Sequence, residues 1–156
     1  LKVGEALAQR MAELDAANTA VYQSGFKTFA GKWQVAMARW EKEAAPLRGV
    51  PVLLHHSSFV YLTHWLGIKE VGSLEPKPGI EPTSGHLSAL LAKQQTTPAK
   101  MVLRAAYNQE WPSQWIAGKT GIPAVLLPYT VGGTSEAKDL FTLFDDTLQR
   151  LLKGLR

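Results

Sequence analysis

Four histidines and no cysteine set the chemistry open to this 156-residue chain. Without thiolates it can form neither a disulfide nor a thiolate metal site, so any bound zinc has to be held by imidazole and carboxylate. His55 and His56 stand side by side after an apolar run, Pro51-Val52-Leu53-Leu54, and before Ser57-Ser58; His64 and His86 stand further along. A neutral imidazole is a good ligand for zinc, whereas manganese prefers harder oxygen donors. A histidine at a strand end is more often simply a satisfied polar side chain, and the pair alone is not proof of a metal site. Gly132-Gly133-Thr134-Ser135, ahead of a helical pattern, offers backbone N–H groups to an anion. It lacks both the GxGxxG spacing and a Lys-Ser/Thr pair, and a tight turn with Thr or Ser as N-cap accounts for it. There are no paired carboxylates, no Gly-x-Ser-x-Gly and no Cys–His pair, so no nucleophile is matched with a base.

The elements that position the histidine pair are legible around it. Val52–Leu54 reads as a short buried strand, followed by a turn capped by Ser57 or Ser58. A helix then runs to Leu66, with Phe59, Leu62, Trp65 and Leu66 at helical spacing and Gly67 as its stop. His56 therefore sits where a strand of an α/β sheet gives out, the edge at which such sheets bind ligands. Strand alternation points His55 to the opposite face, where it supports the site from behind or lies on the surface. His64 is expected to face solvent or the sheet, and His86 to be a capping or surface residue.

Downstream, Glu70–Leu74 is a second strand, and the loop EPKPGIEPTS is kept out of helix by its prolines. A helix Gly85–Gln95, a strand Met101–Ala105, a helix Trp111–Lys119 stopped at Gly121, and a strand Ala124–Leu127 follow. A last helix, Ser135–Leu152, places Ala137, Leu140, Phe141, Phe144, Leu148 and Leu151 on one face. Arg104, at the end of the third strand, is placed to pair with a carboxylate, and Tyr107 to Trp111 form a polar and aromatic loop on the same rim. Upstream, Val3, Leu7, Met11 and Leu14 mark a first helix, Asp15–Asn18 a break, and a second helix runs to about Ala45. That second helix carries an aromatic stripe, Phe26, Phe29, Trp33 and Trp40. Alternating strands and helices predict an α/β fold, a four-stranded parallel sheet with right-handed crossovers, preceded by a long helix.

Composition narrows the function classes. Hydrophobic content of 46% and charge of 19% are those of a globular domain, and no run reaches the roughly 18–20 apolar residues of a membrane span. The net charge of +4 is spread along the helices rather than gathered in a patch, which argues against a nucleic-acid partner. The chain opens in a helical pattern without a Met, so it is read as a piece of a longer protein, and its compartment is not decided by the lack of a signal peptide.

The stretch HHSSFVYLTHWLGIKEVGSLEPKPGIEPTSGHLSALL resembles the central segment of the zinc/manganese substrate-binding proteins of ABC importers. Their pattern is a His after an apolar strand, an aromatic three residues on and a Tyr five on. A Gly-apolar turn, a strand and a Pro-rich loop ending in Glu-Pro-Ser/Thr come next. His56, Phe59, Tyr61, Gly67, Glu81, Pro82 and Thr83 match in that order. The resemblance implies a two-lobed protein with a long linking helix and a metal held between the lobes. Residues 1–15 would end a missing N-terminal lobe, 16–46 would be the linking helix, and 47–156 the C-terminal α/β lobe. It also implies that His56 is a metal ligand, that zinc (or manganese) is the cargo, and that further His ligands lie upstream of Leu1. The expected partners are the metal ion, an ABC permease and the N-terminal lobe; the location is periplasmic or membrane-tethered outside the cytoplasm, with no enzymatic activity. The family's usual fourth ligand, an Asp ending the last strand, is matched here by Leu127, which cannot coordinate metal, and Arg104 stands where many relatives carry Glu. A three-His site with an open position suits zinc better than manganese.

Two rivals stand beside this reading. One is a Rossmann-like or chelatase-like metal-dependent enzyme domain, in which His56 coordinates metal or acts as base; a second titratable group close to His56 favours it. The other is an interaction module whose stripe of Phe26, Phe29, Trp33 and Trp40 docks a partner.

Overall fold

The computed structural model describes residues 1–156, in two compact units, Leu1–Arg39 and Trp40–Arg156. The larger unit holds a four-stranded sheet of β1 (Pro51–Leu54), β2 (Lys69–Ser73), β3 (Met101–Ala105) and β4 (Ala124–Leu127). The order is β2-β1-β3-β4 and every pairing is parallel, so each connection needs a crossover. Helices α3 (Val60–Leu66), α4 (Ser84–Lys93) and α5 (Trp111–Thr120) supply them, and α6 (Leu140–Gly154) follows β4. The chain leaves β1 towards β2 on one side and later lays β3 and β4 on the other. The switch point therefore lies between β1 and β3, and the carboxyl ends of those strands border a crevice.

Helices cover both faces of the sheet, which explains why β1 is a continuous apolar run: Val52, Leu53 and Leu54 are all buried. Leu53 and Val102 share one sheet face with Leu74, Leu87, Leu90, Ala99 and Ile116. The other face meets α6, whose Gly154 packs so closely that a Cβ there would come within 2.6 Å of Val125. Trp40 is fully buried, stacks on Phe144 with ring centroids 4.9 Å apart, and donates its indole N–H to Asp145 at 2.6 Å. Against β2 the register slips by one residue between Val52 and Leu53.

The smaller unit contains α1 (Lys2–Leu14), a 3-10 turn (Ala16–Asn18) and most of α2 (Thr19–Glu43). Asp15 marks the expected break; its Oδ2 accepts from Asn18 Nδ2 at 2.8 Å and from the Tyr22 hydroxyl at 2.7 Å. Within this unit Phe29 stacks on Trp33 at 5.6 Å. The apolar positions of α1 are not covered: Val3, Leu7, Met11 and Leu14 are all exposed. Of the stripe expected to act together, Trp40 alone is fully buried, while Phe26, Phe29 and Trp33 are half-buried. No helix is long and apolar enough to cross a membrane.

Two local expectations need correcting. Residues Ser57–Phe59 form a 3-10 turn with His56, not a serine, at its N-cap and no side-chain cap; Ser58 Oγ meets the Tyr107 hydroxyl at 2.5 Å. The last helix begins at Leu140 rather than Ser135, capped by Asp139 and Thr142 in a capping box. Thr134 and Ser135 lie ahead of the helix, where their hydroxyls donate to Asp146 (2.6 Å) and Glu136 (2.6 Å). Leu140, expected on the buried face, is exposed. The Gly132-Gly133 turn is a steric necessity: a Cβ on Gly133 would lie 1.8 Å from the Pro128 carbonyl oxygen.

Candidate metal centre

His56 is the second residue past β1, at the crevice beyond the carboxyl ends of the parallel strands β1 and β3, where the strand order reverses. The β1–β2 ladder outlasts both strands, for Leu74 N–H donates to Leu54 O at 2.8 Å and Glu75 N–H to His55 O at 3.2 Å. That continuation lays Glu75 beside His56, and His56 Nδ1 meets Glu75 Oε2 at 2.7 Å. The same Oε2 accepts the Gly79 N–H at 2.8 Å. The His56 side chain is 29% exposed and that of Glu75 12%. Burial pushes the Glu75 carboxyl up, but the hydrogen bonds from His56 and Gly79, with the nearby imidazoles, outweigh it and hold the group below the ordinary carboxylate range. Glu75 is thus an anion at neutral pH, and with the ring proton on Nδ1 the imidazole donates to it. Nε2 is then the lone-pair nitrogen, and it makes no hydrogen bond of its own.

His55 differs from the surface or supporting role expected of it: it is 3% exposed and its Nδ1 has no partner. Its backbone is fixed, N–H to Leu103 O at 2.7 Å, with its carbonyl accepting from Ser73 Oγ at 3.3 Å. Burial first, then the charge of Arg104 and the neighbouring His56, pull its pKa down against the opposing pull of Glu75, so the ring is neutral. His64 is exposed on α3. His86 lies in the first turn of α4; its N–H donates to Thr83 Oγ1 at 3.3 Å and its Nε2 meets Ser73 O at 2.9 Å. The four histidines do not converge, and no group of three or more His, Asp or Glu side chains is disposed to hold a metal ion.

The rim beyond is polar and aromatic. Arg104 pairs with Glu110 at 2.9 Å, the plain salt bridge that its position at the strand end allowed. Tyr107 and Tyr129 meet edge to face at 5.2 Å, and Tyr129 meets Phe59 at 5.8 Å. Tyr129 holds a left-handed backbone (φ 65°), uncommon for a non-glycine residue. Leu127 is fully buried. Glu81, matched in the resemblance, is exposed and accepts from Gln109 Nε2 at 3.4 Å.

Sequence reading missed Glu75. The signal lay in the two strands: Glu75 stands two residues beyond Ser73 as His56 stands two beyond Leu54, and Leu54 pairs with Ser73. A family model described as zinc-uptake complex component A, periplasmic (ZnuA), matches residues 1–154. The chain belongs to the ZnuA family. This is a family of metal-binding, substrate-binding proteins of ABC transporters, not of enzymes. The titratable Glu75 beside His56 is the feature that favoured the enzyme rival; membership of the ZnuA family decides against it.

A crystal structure of ZnuA is similar at TM-score 0.80 and 20% identity, over 96% of this chain and 54% of that one. The SBP FpvC from Pseudomonas aeruginosa, in complex with Mn2+, is similar at TM-score 0.72 and 16% identity, over 96% of this chain and 56% of that one. A Mn-bound periplasmic metal binding protein from Candidatus Liberibacter asiaticus is similar at TM-score 0.75 and 14% identity, over 98% of this chain and 58% of that one. The chain thus spans a little over half the length of each. These likenesses carry the fold: the four-stranded parallel α/β sheet expected from the sequence, as in the C-terminal lobe of ZnuA-like binding proteins. By sequence, no curated protein matches the chain.

Proposed function

We propose that the chain is the C-terminal lobe and linking helix of a periplasmic protein that captures a transition-metal ion and delivers it to an ABC permease. In this reading residues 1–15 end an N-terminal lobe, 16–46 link, 47–156 form the lobe described above, and the mature protein is either free in the periplasm or tethered to the membrane. His56 is the metal ligand that this chain contributes, and the remaining ligands come from the N-terminal lobe. The observation that carries the reading is the His56 ring itself. It stands at the sheet's switch point with Nδ1 engaged by Glu75, so Nε2 is the nitrogen left to bind a metal. A nitrogen donor favours zinc over manganese as cargo. Relatives differ in the metals they hold, among them Mn2+, Ni2+ and Cd in solved structures, so the test has to read the metal directly.

The experiment is zinc and manganese titration of the full-length protein with and without His56→Ala. The variant is expected to bind zinc at least about tenfold more weakly, about 1.4 kcal/mol, with the thermal midpoint of the metal-free protein little changed because the ring lies at the rim. Zinc binding untouched by the substitution would leave the ZnuA fold without this ligand.

A further inference from the structure

The Pro-rich turn after β2 reaches the site through one hydrogen bond, from Gly79 N–H to Glu75. Lys77-Pro78-Gly79-Ile80 is a β-turn closed by Ile80 N–H to Lys77 O at 3.0 Å. Pro78 occupies its second position, and Gly79, with φ +80°, its third. That is the type II pattern, which needs a positive φ where Gly79 stands. The turn aims the Gly79 N–H at Glu75 Oε2, 2.8 Å away, while the Glu75 backbone is held by His55 O at 3.2 Å. Glu75 is therefore restrained at its backbone and at its carboxylate, and the oxygen so restrained is the one bonded to His56 Nδ1 at 2.7 Å.

We propose that Glu75, held by the Lys77–Ile80 turn, is a positioning residue that fixes the His56 tautomer and ring so that the metal is bound through Nε2. The proposal rests on His56 being a ligand and goes beyond it by naming the donor atom and what selects it. The two ring nitrogens face away from each other, so a carboxylate bonded to Nδ1 cannot also coordinate an ion on Nε2. Glu75 acts on the ligand, not on the metal. A carboxylate on the far nitrogen fixes ring orientation and raises ligand basicity, and losing such a partner costs about 10–100-fold in metal affinity. A free neutral histidine in water carries its proton mainly on Nε2, the opposite of what this site requires, so the effect of Glu75 is visible without metal.

The test uses the full-length protein in two measurements. Nitrogen NMR of isotope-labelled histidine, metal-free and above the imidazole titration range, reads the His56 tautomer; competition against a chelator dye reads zinc affinity. The wild type is expected to hold the proton on Nδ1. Glu75→Ala is expected to move it to Nε2 and to weaken zinc binding by about 10–100-fold. Glu75→Gln keeps an acceptor without the charge, so it should retain the Nδ1 proton and lose less affinity than alanine. Gly79→Ala, which puts a side chain at a left-handed φ, should change both readouts in the same direction as Glu75→Ala while leaving Glu75 in the sequence. Unchanged affinity in Glu75→Ala, when His56→Ala has lost zinc, overturns the proposal. So does weakened affinity with the Nδ1 tautomer retained, since the carboxylate would then act through the fold or its charge. Unchanged zinc affinity in His56→Ala is a separate result, which overturns the ligand assignment and with it the ground of the proposal.

Discussion

Replacing Leu127 by aspartate tests whether the end of β4 can be a ligand position or is committed to the core. Leu127 is 0% exposed, and it pairs with Ala105 of β3. Strand alternation puts it on the same face as Val125, which Gly154 of α6 crowds. Cutting a buried leucine back to alanine costs about 2–5 kcal/mol, and aspartate restores little of the lost apolar contact. A carboxylate in that setting resists ionisation, so its pKa rises above the ordinary value of about 3.9, and each unit of rise costs about a further 1.4 kcal/mol at neutral pH. A loss of at least about 4 kcal/mol near neutral pH is expected, a large part of the roughly 5–15 kcal/mol that holds a domain together. The sign of the pH dependence follows from the raised pKa. Between the unfolded and folded values the native state binds more protons, so stability falls as pH rises. Leu127→Asp should therefore recover part of its loss on acidification towards about pH 4, relative to Leu127→Asn, which lacks the titrating charge. Urea unfolding followed by circular dichroism at several pH values, with zinc titration alongside, measures both. Wild-type stability near neutral pH, or tighter zinc binding, would refute the reasoning and place this side chain at the metal end rather than in the core.

Three further outcomes follow from single residues. His55→Leu removes a buried imidazole whose Nδ1 has no partner, so the thermal midpoint should hold or rise, and zinc affinity should stay within about threefold, far from the effect of a lost metal-site partner; a zinc loss equal to that of His56→Ala would make His55 the ligand. Gly133→Ala would bring a Cβ to 1.8 Å from the Pro128 carbonyl oxygen, so the thermal midpoint should fall by the equivalent of more than about 2 kcal/mol, and an unchanged midpoint would mean the turn has another low-energy shape. Asp139, the cap of α6, has its carboxyl held below the ordinary range by the Thr142 N–H and then its hydroxyl. Its contribution is full above the unfolded carboxyl value and lost as pH falls through the lowered folded one, so the gap in thermal midpoint between wild type and Asp139→Ala should close in acid, and a gap constant down to that range would count against the cap.

The parts of the fold that were legible in the sequence are those set by local chemistry. Met101–Ala105 and Ala124–Leu127 lie where expected because each is a short apolar run bounded by turn residues. Helices α3 and α5 end at Gly67 and Gly121, both with left-handed backbones. The start of α6 was not legible in the same way, because Thr134, Ser135 and Asp139 are all competent caps. Asp139 is the one that caps, through its reciprocal bonds with Thr142, while Thr134 donates its hydroxyl to Asp146, twelve positions away. His55 was misjudged for a related reason. Strand alternation assigns it a face but not a depth, and in the folded chain it is 3% exposed.

Glu75 shows why a site is harder to read than a fold. Its sequence neighbourhood, a charged residue before Pro76, is ordinary loop chemistry. Its partner is nineteen residues away, and the two meet only if β2 lies directly beside β1 with the register slipped by one residue at Val52/Leu53. Without that slip, Glu75 would be offset by one residue along the ladder and its side chain would alternate to the other face of the sheet. On the proposed reading, the negative charge associated with the metal ligand in this chain comes from the β2 side of β1, while the end of β4 stays with the core. On the same reading, a carboxylate in that position steadies the imidazole and leaves the ion's other coordination positions to side chains outside this lobe.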